Sequence, residues 1–208
     1  MQLAQFWKMI DNARLAVVDS PDERDDFLVQ IEEALLELAP SEVASFHTHL
    51  LQQFNRTFHW DVIAAAAIIY GDQCDPLDID GFRAWLISRG EDFLTNTLQD
   101  VDSLGPLNLV PDDLYYYAFL GLPNDVYEEL SGDELPADAT PPEPEEPAGQ
   151  EFQVKDLPLR LPKLADDFGL FPPAPDVPVT LTTEAGTDAD FEKLLGDVSD
   201  EENPYADL

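Results

Sequence analysis

The stretch WDVIAAAAIIYGDQCDPLDIDGFRAWLISRG, residues 60–90, decides the fold. It joins an apolar run to an acidic loop, and the loop to a segment carrying Phe82, Trp85 and Leu86. No charge follows Asp61 until Asp72; Ala64, Ala65, Ala66 and Ala67 stand in series, with Ile63, Ile68 and Ile69 around them. A helix apolar on most of its circumference belongs in the middle of a bundle, and its alanines let neighbouring backbones approach closely. Gly71 is suited to end it. Beyond the loop at 72–78, Phe82, Trp85, Leu86 and Arg89 mark one face of the next helix, which Gly90 stops or kinks.

The segments before this stretch look built to pack on it. Over residues 3–17, Phe6, Ile10, Ala13 and Val17 recur at helical spacing. In Ser20-Pro21-Asp22-Glu23, Ser20 reads as a cap, Pro21 as the first helical residue and Glu23 as the partner in a capping box. The helix this opens runs to about residue 38 and buries Phe27, Ile31, Leu35 and Leu38. Pro40 restarts the chain, and Val43, Phe46, Leu50, Phe54 and Phe58 form a third stripe. Amphipathic helices on short connections need a common partner to cover their faces. The apolar run at 62–70 is the candidate.

After Gly90 the chain reads as a helix over 91–98, a turn at Asp102-Ser103-Leu104-Gly105-Pro106, a helix over 114–120 and a short one over 126–130. No strand is expected before residue 150. The predicted architecture is all-α: a single helical bundle at 1–131, an extended acidic arm at 132–171 that partly docks on it, and a disordered acidic tail at 172–208. The composition shift carries that division. Eleven of the 18 prolines lie at 136–178, and residues 121–208 hold 23 acids against four bases.

Charge bounds the function. A net charge of −34 argues against nucleic acid, whose affinity draws on basic residues that release counterions, and against an anionic membrane face. The longest apolar run falls short of a membrane span. The opening MQLAQFWKMIDNAR has no basic start ahead of an apolar run, so it is not a secretory leader. A cytoplasmic protein is expected, with a protein of basic surface as its partner. A lone cysteine, Cys74, rules out an internal disulfide.

Several residues carry a candidate site. Asp72, Asp75, Asp78 and Asp80 surround Cys74, and Asp78-x-Asp80-Gly81 echoes the middle of a calcium loop. Pro76 and Ile87, however, occupy the positions of the first ligand and of the bidentate glutamate. The plainer expectation is that Asp78 or Asp80 caps the following helix. His47 and His49 are two apart, about 200° around a helix, and cannot share a metal. Arg83 and Arg89 are expected to pair with local acids such as Asp80 or Asp92. Trp7, Trp60 and Trp85 read as core, with a ligand pocket as the other option. No phosphate loop, nucleophile elbow or catalytic triad is visible, and no catalytic residue or cofactor is expected. In the arm and tail, Phe168, Leu170 and Phe171, then Phe191, Leu194 and Leu195, form apolar islands of the kind that serve as short interaction motifs.

The chain also resembles a bacterial family of unknown function, DUF4240, over about residues 5–170. Phe6-Trp7 with Ile10, Ala13 and Arg14 opens the resemblance, and Trp60-Asp61 through Gly71 followed by Phe82-Arg83-Ala84-Trp85-Leu86-Ile87-Ser88-Arg89-Gly90 is its strongest part. Asp100, Asp102-Ser103-Leu104, Ala118-Phe119, Tyr127-Glu128-Glu129, Gly132, Pro147-Ala148-Gly149 and Leu161-Pro162-Lys163-Leu164 continue it. The family's serine and paired aspartates ahead of the phenylalanine are replaced here by Leu77-Asp78-Ile79-Asp80-Gly81, and Val101 stands in place of its proline. The resemblance implies a helical fold and no established activity. The expected function is therefore non-catalytic protein contact through acidic surface and tail, in an immunity- or regulator-like role. The alternative is an enzyme, or a protein binding a small ligand or cation, with its pocket near residues 60–90.

Overall fold

The computed structural model describes residues 1–170. Seven longer helices come first: α1 (Leu3–Ala16), α2 (Glu23–Leu36), α3 (Pro40–Arg56), α4 (Trp60–Tyr70), α5 (Pro76–Ser88), α6 (Glu91–Gln99) and α7 (Ala118–Ser131). Two short ones, α8 (Leu157–Arg160) and α9 (Pro162–Asp167), lie in the arm. Among the described residues no strand forms. The one β-type pairing joins His59 to Ala148, where Trp60 N–H donates to Ala148 C=O and Ala148 N–H to Phe58 C=O, each at 2.9 Å.

The fold is all-α. Helix α4 is buried at every position from Val62 to Ile69, and Gly71 caps it with a positive φ of 63°. It does not hold the centre alone. Helix α5 is buried without interruption from Gly81 to Ser88, where the sequence pattern had marked only one face. It meets α1, α3, α4, α6 and α7, whereas the main neighbours of α4 are α5, the 3-10 turn Val101–Leu107 and α9. The amphipathic helices α1 and α3 thus reach the centre through α5, and α2 packs on α1 and α7. Aromatic edges fill the seams: Phe27 meets Phe119 at 5.3 Å and 81°, and Phe6 meets Phe46 at 4.8 Å.

Local chemistry moves three boundaries. Helix α2 begins at Glu23 with Asp22 ahead of it, so Pro21 is not its first residue. Instead Ser20 Oγ accepts from Asp22 N–H and donates to Asp26, tying a turn in front of the helix. Helix α5 begins at Pro76, inside the stretch 72–78 expected to be a loop. The two short helices expected at 114–120 and 126–130 are replaced by a 3-10 turn Pro111–Leu114 and one continuous α7. Pro123 sits inside α7 and removes one backbone donor. Burial of Phe119, Pro123 and Val126 on one side offsets that loss.

The arm is held by side chains of the bundle. Thr48 Oγ1 donates to Ala139 C=O at 2.7 Å, and Asn55 Nδ2 donates to Pro142 C=O at 3.0 Å. Gly149 (φ +88°) lies so close to the His59 ring that any side chain there would strike it. Arg160 then ties the return: its Nε donates to Asp61 Oδ1 at 2.5 Å and its Nη2 to Gln150 C=O. Leu157, Leu161, Leu164 and Ala165 are buried in the same cluster as α4 and α5.

Candidate functional site

The acidic loop between α4 and α5 resolves into separate jobs. Pro76 stands at the first helical position, where its fixed φ suits the helix and its missing N–H costs nothing. Asp75 is therefore the cap, in place of Asp78 or Asp80. Asp75 Oδ1 accepts from Asp78 N–H at 2.9 Å, and Asp78 Oδ2 accepts from Asp75 N–H at 3.1 Å, which completes a capping box. Asp80 forms an ion pair with Arg83 at 2.6 Å. Asp72 is exposed in the 3-10 turn Gly71–Gln73. The four carboxylates do not converge, and among the described residues no group of three or more His, Cys, Asp or Glu is placed to hold a metal ion.

Cys74 is buried, and that burial, with Asp78 and Asp75 nearby, pushes its thiol up to about 12. Such a thiol is protonated at neutral pH and is no nucleophile. Arg83 is a structural cation: its Nε donates to Thr57 Oγ1, its Nη2 to Phe54 C=O, and its guanidinium lies 3.6 Å from the Phe54 ring centre. Arg89 pairs with Glu23 at 2.5 Å, across to α2, and not with Asp92. His47 is buried with Nδ1 unpartnered, His49 contacts Gln52 and Met1 C=O, and His59 accepts from Asp61 N–H to cap α4.

Two clefts open on this side of the bundle, and the first borders the loop at Gln73 and Asp78. The first, of about 490 Å³, is lined by Tyr70, Gln73, Asp78, Asp112, Tyr115 and Arg24. Burial raises the pKa of the Asp78 carboxyl, and Asp75 beside it adds to the shift while the Asp75 N–H bond opposes it. Tyr70 borders this cleft, but its hydroxyl is enclosed and has no hydrogen-bond partner among the described residues, and burial raises its pKa. Tyr115 reaches the cleft because Gly81 lets its ring come within 2.7 Å of where a Cβ would stand. Tyr116 N–H donating to Gly81 C=O at 3.2 Å fixes the loop there. The second cleft, of about 550 Å³, runs past Glu23, Trp85, Arg89, Asn108 and Tyr116, and shares Arg24 and Asp112 with the first. Trp85 is the one tryptophan that lines either cleft, stacked on Phe82 at 5.7 Å.

The sequence profile of the family described as "Protein of unknown function (DUF4240)" matches residues 1–129. The chain belongs to this family. The DUF4240 span contains helices α1 to α6, most of α7 and every residue lining the two clefts. No curated protein and no solved structure matches the chain.

Sequence reasoning named Asp78 but missed its companions. Arg24, Asp112 and Tyr115 come from segments 54 residues before it and up to 37 after it. The one local signal was Gly81, a glycine inside a helical pattern, which marks a close approach. Of the apolar islands, Phe168 packs partly against the core and Leu170 is 40% exposed. Phe171, Phe191, Leu194 and Leu195 lie outside the described residues.

Proposed function

We propose that this chain is a non-catalytic cytoplasmic protein that works by protein–protein contact, offering acidic surface to a basic partner in an immunity- or regulator-like role. One observation carries the reading. Of the nine lysines and arginines among the described residues, six are engaged in ion pairs with carboxylates: Arg14, Arg24, Arg83, Arg89, Arg160 and Lys163. Against them stand 34 acids at 1–170. Most of the cations are thus matched by the chain's own carboxylates, some of them at the surface, and the acids left over make the net field acidic. Such a field steers a basic partner and repels anionic ones. No helix among the described residues is long and apolar enough to cross a membrane.

Affinity capture with the full chain, followed by reconstitution with the purified partner, tests this. The partner should be basic and should dissociate at about 1 M salt, where the Debye length falls to about 3 Å. A partner held unchanged at that salt, or one of acidic surface, overturns the reading. Deletions made to assign the contact belong after Leu170, since Leu157, Leu161 and Leu164 are core.

A second reading, a protein that binds a small ligand or cation, draws on the cleft bordered by Tyr70, Gln73 and Asp78.

A further inference from the structure

We propose that the two clefts form one docking trough for an extended basic segment of a partner protein, with a lysine or arginine side chain entering between Tyr70, Tyr115, Asp78 and Asp112. The proposal rests on the acidic-contact reading above and gives it a place. The clefts meet at Arg24 and Asp112, which line both. A peptide lying along them would pass from the start of α2 to the start of α5.

Charge complementarity selects the occupant. Two of the chain's few arginines line the trough, but both are engaged: Arg24 with Asp25 at 2.9 Å and Arg89 with Glu23 at 2.5 Å. Neither forms an ion pair with Asp78 or Asp112, which line the first cleft and have no paired cation among the described residues. Asp78 is half-buried and Asp112 exposed, so one acid waits at the wall and one at the mouth. A lysine or arginine stem is apolar and packs on rings while its head seeks carboxylates. Tyr70 and Tyr115 supply the rings.

The probe is a fluorescein-labelled nona-arginine peptide, titrated against the full chain by anisotropy at physiological salt. Asp78→Asn with Asp112→Asn removes the two acids. Glu145→Gln with Glu146→Gln removes the same charge from an exposed site outside the trough. The trough pair should weaken binding about tenfold or more, as expected when a cation loses enclosed carboxylate partners, and the control pair should change it little. In heteronuclear NMR the peptide should shift Tyr70, Gln73 and Tyr115 first.

The side-chain amide introduced by Asp78→Asn retains an oxygen to accept Asp75 N–H, and Asp112→Asn alone, at an exposed position, serves if the double variant unfolds. Equal weakening by both pairs overturns the trough and leaves the acidic-contact reading standing. No binding by the unaltered chain overturns both. Equal shifts at Tyr70 and Gln73 from free arginine amide at the same concentration assign the cleft to a small cation and also overturn the trough.

Discussion

Asp102 caps a helix that begins sixty residues after it. Its Oδ1 accepts from the backbone N–H groups of Lys163 and Leu164, at 2.9 and 3.0 Å, in the first turn of α9. Leu161, which precedes that helix, has no side chain able to do the same. Lys163 Nζ lies 3.7 Å from Asp100 and 3.9 Å from Asp102, adding weaker attraction outside the cap. Asp102→Ala leaves two donors without their acceptor and should cost about 1–3 kcal/mol. Asp102→Asn should recover much of that. Denaturant unfolding measures the loss, and amide exchange should rise first in α9.

Gly105 makes that cap possible. A Cβ on it would stand 2.5 Å from Lys163 C and 2.6 Å from Leu164 N, both backbone atoms that cannot turn aside. Gly105→Ala should therefore push the arm off and destabilise by about 1–3 kcal/mol, as overpacking does. Limited proteolysis should then cleave within residues 150–170 under conditions where the parent chain resists.

Arg83→Met should be among the most damaging single changes. It takes the guanidinium away from Asp80, Thr57 and Phe54 C=O together. Removing one partner of a buried pair costs about 3–5 kcal/mol. Arg83→Lys should rescue little, because an ammonium cannot reach three acceptors in a fixed fork or lie flat on Phe54. The midpoint of urea unfolding measures both.

Burial lowers the pKa of His47 below its usual 6.5. The folded state then binds fewer protons than the unfolded one, so this histidine's contribution is present above about pH 6.5 and is lost as pH falls through the lowered folded value. Acidification also relieves the repulsion of the many carboxylates, with the opposite sign. The difference between parent and His47→Gln isolates the histidine: between pH 7 and pH 5 the parent should lose stability relative to the variant. A constant difference across that range would contradict it.

Cys74 should not react with a thiol reagent at pH 8 while the chain is folded, since its pKa is pushed up to about 12. Labelling should appear only as the protein unfolds, at the rate of opening.

Much of the helical fold was legible because helices announce themselves locally. The end of α4 follows from an apolar run closed by a glycine, and Phe6, Ile10 and Ala13 mark the buried face of α1. The pattern failed where burial was complete. Arg83 and Ser88 look like the polar side of α5, yet both are buried, since Thr57, Asp80 and Phe54 C=O answer the guanidinium and Trp85 C=O accepts from the Ser88 hydroxyl. A polar letter reports chemistry, not exposure.

What the sequence by itself determined is the class of the protein: a helical chain of the DUF4240 family with a net charge of −34. Those properties sum over residues or repeat every few positions, so order along the chain suffices. Only the tertiary structure decided which residues share a site. It set Asp78 and Asp112 on one cleft, Arg89 against Glu23 and Asp102 under α9, pairs separated by 34, 66 and about 60 residues. Such pairings depend on how the bundle closes, and the packing that fixes closure leaves little local trace beyond Gly81 in α5 and Gly105 against α9.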